Sequence, residues 1–310
     1  GISSNVSSLT PNATYYVQSD GTLNTATSAV NYDIANASYT QAFSVSAQVT
    51  FPSGVAFNPT GTKMFVVDNT GDDVNEYTLS TGFDVSTASF VDSFSVNAQQ
   101  AAPMSVAFNT DGTKMYIVGE TEDTVAQYAL STGFDVSSAS FTQAFSIAAQ
   151  ETEAQGITFN PTGTKMFIVG DTGNDIGEYT LSSGFDVSTA SFVDSFSLAS
   201  QTTQPKEGIF NTDGTELYVL GRDTQNVLKY TLTSGFDVST ASYASVSFDV
   251  SAQENSPQGL AFSADGSKMY VCGDSGDDVN QYATTSTATN STTVLAGRAL
   301  SSTSINLDYT

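Results

Sequence analysis

Apolar and polar residues alternate in short runs along most of the chain, and the runs return at a fixed interval. Ser53–Phe57 reads SGVAF, and MSVAF, QGITF, EGIF and QGLAF take its place further on. Lys63–Val67 (KMFVV), Asp73–Leu79 (DVNEYTL) and Phe90–Val96 (FVDSFSV) complete one unit. Such runs, rich in Val, Phe, Tyr and Thr and bounded by Gly, Asp and Ser, predict four short β-strands per unit. No segment sustains a 3.6-residue apolar period, so no long helix is expected.

The interval is about one propeller blade. Gly61, Gly112, Gly163, Gly214 and Gly266 are spaced 51, 51, 51 and 52 residues apart, and so are Tyr77, Tyr128, Tyr179, Tyr230 and Tyr282. Each of these glycines stands in a Thr-Gly or Asp-Gly hairpin turn that asks for positive φ. Four-stranded units of this length in tandem predict a β-propeller. The segment before the first full unit, YDIANASYTQAFSVSAQ, matches the end of a unit, and the fifth unit lacks that end. The N-terminal piece should therefore supply the outer strand of the last blade and close a five-bladed ring, leaving no open sheet edge.

Outside residues 31–284 the pattern changes. Residues 1–30 and 285–310 are each too short to hold a core alone. They predict one small discontinuous β-domain with the propeller inserted between its halves.

Charge narrows the chemistry. In 310 residues there are 8 Lys+Arg against 32 Asp+Glu, a net charge of −24, with no His, no Trp and one Cys. Such a surface repels phosphate backbones, so no nucleic-acid partner is expected. A histidine-based triad, a histidine-ligated zinc and an intrachain disulfide are excluded. No apolar run approaches the roughly 18 residues of a membrane helix. The opening residues show no charged and apolar leader pattern.

The acids gather in the loops between second and third strands: DNTGDD, GETEDT, GDTGND, GRDTQN and GDSGDD. In a propeller these share a face with the connections between blades. Candidate ligand-binding residues are therefore Asp72, Asp73, Glu122, Asp123, Asp171, Asp175, Arg222, Asp223, Asp274, Asp277 and Asp278. Oxygen-rich turns with Gly spacers suit a hard cation, so Asp72, Asp171, Asp274 and Asp277 form a Ca²⁺-like candidate set. No other cofactor is expected. The same loops equally serve as solvated turns that keep the protein soluble. Blade four departs from its sisters: Glu216 replaces their Lys63, Lys114, Lys165 and Lys268, and it carries Lys206, Arg222 and Lys229. That departure marks either a ligand-facing sector or drift. Asp84 and its repeats (Asp33, Asp135, Asp186, Asp237) read as turn residues, Gln48 and its repeats as ties for the blade crossings. Cys272 aligns with core valines.

Two resemblances follow from quoted strings. Tyr15–Leu23 (YYVQSDGTL) with Leu295–Ser301 (LAGRALS) resembles a module of bacteriophage tail-fibre and virion surface proteins. The propeller repeats resemble lactonase-like, "YVTN"-type propellers in their FNPTGTKMFVV strings. The first resemblance implies a virion-surface, extracellular adhesin, usually trimeric, that binds a host cell-surface glycan or protein and contacts other virion proteins. The alternatives are a structural decoration protein and a lactonase-like enzyme. Catalysis is not expected. A glycosidase needs two carboxylates, and among the first strands only Glu207 is acidic, at what reads as a strand end.

Overall fold

The computed structural model describes the backbone of residues 14–17, 23–24, 30–288, 294–301 and 304–306, and the side chains of residues 32–284. The chain divides into two compact units, Tyr32–Thr285 and a second formed by Gly1–Asn31 with Ser286–Thr310. In the second unit, strand Thr14–Val17 pairs with Leu23–Asn24 on one side and Val294–Ser301 on the other, and Val294–Ser301 also pairs with Ser304–Asn306. The rest of the expected virion-type module, residues 1–13, 18–22, 25–29, 289–293, 302–303 and 307–310, lies outside the described residues.

The larger unit is a five-bladed β-propeller of four-stranded antiparallel blades. Blade one runs Pro52–Phe57, Lys63–Asp68, Asp73–Leu79 and Ala88–Ser95. Among the described residues helix is confined to four single 3₁₀ turns, such as Val85–Thr87. Strand Val30–Ser44 forms the outer edge of the last blade, beside Asp278–Ala288. The seam holds through Thr40 Oγ1 donating to the Gln281 carbonyl (2.9 Å) and Val45 N–H donating to the Asp277 carbonyl (2.8 Å). The ring closes as the two incomplete ends of the repeat demand.

The second strands are apolar on both faces because each blade is sandwiched by two others. Met64 and Val66 pack toward blade five with Tyr270 and Cys272; Phe65 and Val67 pack toward blade two with Met115 and Ile117. Cys272 is fully buried, as its alignment with valines predicts.

One turn recurs at four of the five blade junctions. Phe83, Phe134, Phe185 and Phe236 all adopt φ near +60°, a region bulky residues rarely enter. Phe83 is held there by its ring, which covers Gly61 so closely that an added Cβ would lie 2.3 Å from it, and by its N–H donating to the Gly61 carbonyl (2.9 Å). The turn aims the Phe83 carbonyl at the neighbouring blade, where Lys268 Nζ (2.6 Å) and the Tyr270 hydroxyl (2.7 Å) donate to it. Lys63, Lys114 and Lys165 donate likewise to Phe134, Phe185 and Phe236. The repeated lysines are interblade ties.

Candidate active site

Five first strands converge on the axis, and their third residues form its narrowest ring: Gly54, Ser105, Gly156, Glu207 and Gly259. A Cβ on Gly259 would lie 2.9 Å from Gly54 Cα, and one on Gly54 2.7 Å from the Met104 carbonyl. With backbones this close, glycine is required at most of the ring. The space left is filled from blade four. The Glu207 side chain passes over Gly156, whose absent Cβ would meet Glu207 Oε1 at 2.6 Å, and reaches blade two. There Ser105 Oγ donates to Glu207 Oε2 (2.6 Å), while Gly208 N–H donates to Oε1 (3.0 Å).

Glu207 is 4% exposed and lines a cavity of about 270 Å³ on the axis, walled by Val55, Val106, Ile157, Ile209 and Leu260. Burial among these apolar walls pushes its carboxyl up from 4.5 to about 8, against the two hydrogen bonds that lower it. The sequence places Glu207 at a strand end. The strand runs Pro205–Phe210, with a bulge between Pro205 and Glu207 that turns the side chain inward.

The acidic loops do other work. In each blade one carboxylate knots the incoming connection to the loop. Asp68 accepts from the N–H groups of Thr50 (3.0 Å), Phe51 (3.1 Å) and Thr70 (3.1 Å). Glu122 accepts from Ala101 N–H, Glu151 from Thr152, Glu153 and Thr172, Asp223 from Thr203 N–H and the Thr202 hydroxyl, and Glu254 from Ser256 and Ser275. Asp72 accepts from Ala102 N–H (3.0 Å) and from Asn97 Nδ2. Asp123 and Asp277 have positive φ and present backbone carbonyls to Ile147 and Val45. Asp73 and Asp278 each accept from a following asparagine, Asn75 and Asn280, at 2.6 Å. Burial pushes Asp73 up to about 6. Asp175 is raised by burial, and Asp274 is exposed. Among the described residues no three acidic side chains are grouped so as to hold a metal ion. Asp72, Asp171, Asp274 and Asp277 sit in three different blades and are not brought together.

Blade four's charges are likewise engaged. Lys229 pairs with Glu216 at 2.6 Å, the positions at which blades one and three place Glu76 with Lys63 and Glu178 with Lys165. The pair is reversed. The Tyr218 hydroxyl replaces the lysine beside the neighbouring carbonyl, that of Tyr32 (2.7 Å), its one proton shared between that oxygen and Glu216 Oε2. Lys206 is buried against Asp171 (2.8 Å) and Gln155 (2.7 Å), and Arg222 donates to Ser256 Oγ (3.2 Å). The repeated glutamines accept from buried tyrosines rather than from backbone: Gln48 from Tyr77, Gln99 from Tyr128 and Gln201 from Tyr230.

Residues 13–236 match the family described as lactonase, seven-bladed β-propeller. The chain belongs to that family. It closes the lactonase propeller with five blades where the family description has seven, which accounts for glycine at the waist.

No curated protein matches the chain. Among solved structures, one named a 6-phosphogluconolactonase from Bacteroides uniformis is 14% identical, covering 81% of this chain and 72% of its own, with TM-score 0.48. Another so named, from Bacteroides fragilis, is 16% identical over 80% of this chain and 66% of its own, with TM-score 0.46. A protein of unknown function from Desulfotomaculum acetoxidans is 14% identical over 81% and 87%, with TM-score 0.48.

Membership in the lactonase family corrects two expectations. The virion-surface, tail-fibre-like adhesin gives way to the lactonase-like alternative, and the expectation that the chain is not an enzyme falls with it. The physical reason lies in the reaction assumed. Glycoside cleavage needs two carboxylates at once. Opening a lactone passes one proton from water to the leaving oxygen, in two successive steps, so a single carboxyl suffices.

Proposed function

We propose that this propeller is a lactone hydrolase acting in the axial cavity, with Glu207 as its acid–base residue. The carrying observation is a lone buried carboxyl lining the axis of a chain in the lactonase family. The Glu207 carboxylate takes a proton from water as the water oxygen bonds to the lactone carbonyl carbon. The tetrahedral intermediate then expels the ring oxygen, and the Glu207 acid returns the proton to that oxygen, leaving a hydroxy acid. Ser105 fixes one carboxylate oxygen throughout. The cavity lining carries no cation, and the chain's charge is −24. Both favour a small uncharged lactone over a phosphorylated one.

The test is hydrolysis of δ-valerolactone and dihydrocoumarin, followed in a pH-stat. Turnover should rise with pH and reach half its plateau near 8, where Glu207 ionises. Glu207→Gln should lose about 100-fold or more, the usual worth of a general base. No turnover of either lactone, or turnover untouched by Glu207→Gln, overturns the proposal.

A further inference from the structure

On its third strand blade three carries glycine, Gly177, where its sisters carry Asn75, Ala126, Leu228 and Asn280. In blades one and five that asparagine donates its amide to the aspartate two residues before it, at 2.6 Å. In blade three the counterpart, Asp175, lacks that amide and accepts from the Ser195 side chain instead. A cavity of about 290 Å³ opens in place of the amide, lined by Glu151, Asp175, Tyr179, Gln150, Phe192 and Ser195.

Glu151 supplies an independent observation. It is 4% exposed, its Oε1 is occupied by the knot to Thr152, Glu153 and Thr172, and its Oε2 is buried with no hydrogen-bond partner. An added Cβ on Gly170, the residue paired with Asp175 across the sheet, would overlap that oxygen. A further bond is also missing. Tyrosine donates to glutamine in blades one, two and four, but Tyr179 and Gln150 line the cavity instead. Two carboxylates therefore line a small space beside an aromatic face, and one of them, Glu151, has an oxygen with no partner.

We propose that this cavity binds a small organic ammonium. An unused buried acceptor favours a donor, and two carboxylates favour one that carries positive charge. Only two acids line the space, and among the described residues no three are grouped as a metal ion would need. An ammonium offers up to three N–H donors, and its alkyl part can lie against Phe192 and Tyr179. Burial raises the Asp175 carboxyl against the lowering hydrogen bond from Ser195, and the charge of Glu151 raises it further. The site is separate from the axial cavity, and its test does not depend on lactone turnover.

The experiment is an NMR titration of the full chain with ethylammonium chloride, against KCl at equal ionic strength. Gly177→Asn and Asp175→Asn serve as variants. A Cβ at Gly177 has no neighbour closer than 3.6 Å, so Gly177→Asn fits and supplies the amide found in blades one and five. Saturable shifts at the amides of residues 149–151, 175–179 and 192–195 are expected, with affinity at least tenfold weaker in both variants and lactone hydrolysis unchanged in Gly177→Asn. The proposal is overturned by no saturable shift, by the same shifts with KCl, or by equal affinity in Gly177→Asn.

Discussion

The waist of the propeller and its periphery treat the same repeat in opposite ways. At the periphery, blades substitute freely for one another. The knot of the acidic loop is tied by Asp68, Glu122, Glu151, Asp223 or Glu254, from different sequence positions, and blade four runs its ion pair backwards. At the waist no exchange is available. Five backbones meet, three positions must be glycine, and the space admits one long side chain, Glu207. A carboxylate supplied with backbone N–H donors behaves as a staple. A carboxylate set among valines and leucines holds its proton. Equivalence between repeats thus ends where the symmetry axis makes their side chains compete for one volume.

The largest expected effect falls on the waist. Below pH 4.5 Glu207 is protonated whether folded or not. Above that the unfolded chain releases the proton and the folded chain keeps it, so stability falls as pH rises toward about 8. A displacement from 4.5 to about 8 corresponds to on the order of 5 kcal/mol lost across that window. Glu207→Gln keeps the shape without the charge. Its melting temperature should exceed that of the parent at pH 8.5, and the gap should close by pH 5. Asp73, Asp171, Asp175 and Asp278, all raised chiefly by burial, give both proteins a residual decline of the same sign. A gap independent of pH would mean that Glu207 is already ionised in the folded chain.

Next comes the glycine ring. A Cβ at Gly259 would lie 2.7 Å from Cys272 Sγ and 2.9 Å from both Gly54 Cα and Val55 N. Because two of the three atoms are backbone, Gly259→Ala should destabilise by about 3 kcal/mol, the upper range for overpacking, in urea unfolding. Gly177→Ala, whose Cβ would make only ordinary contacts at 3.6 Å and beyond, should stay within about 0.5 kcal/mol. Equal effects at the two glycines would remove the steric argument for the waist.

At the periphery a single knot should weigh less. Asp68→Asn leaves one acceptor oxygen for three backbone N–H groups and turns an amide toward them. A loss of about 2 kcal/mol is expected, as for hydrogen bonds to a charged group. Addition of Ca²⁺ or a chelator should not alter that loss, because the donors to Asp68 are backbone N–H groups.

Much of the fold was legible because repetition exposes it. Fifty-residue spacing fixed the blades, and the orphaned strand ends around Tyr39 and Tyr282 fixed both closure and blade number. The third strand, Asp73–Leu79, was read to the residue; the fourth was read two residues late, since Ala88 and Ser89 look like turn residues. The candidate site was hidden by a bulge that every first strand carries. Alternation cannot register the extra residue between Pro205 and Glu207, so the key carboxyl looked peripheral. Acid-rich loops drew the eye because charge is visible in a sequence, while burial and the backbone N–H groups that satisfy it are not. The reversed pair of blade four was visible as two substitutions, at Glu216 and Lys229, but only the fold shows that the two face each other.

Swapping both members of that reversed pair provides the smallest effect and the cleanest test of peripheral equivalence. Glu216→Lys alone sets two ammonium groups together; Lys229→Glu alone sets two carboxylates together. Each should cost about 2–3 kcal/mol, since Glu216 is buried and would leave or gain an unpaired charge. The double variant restores the order of Lys63 with Glu76. A lysine in place of Glu216 could then donate to the Tyr32 carbonyl beside the Tyr218 hydroxyl, as Lys268 and Tyr270 share the Phe83 carbonyl. The double variant should therefore return to within about 1 kcal/mol of the parent, and the double-mutant cycle should show strong favourable coupling. Costs that simply add would mean that blade four's orientation is not interchangeable. The line between waist and periphery would then have to be drawn further out.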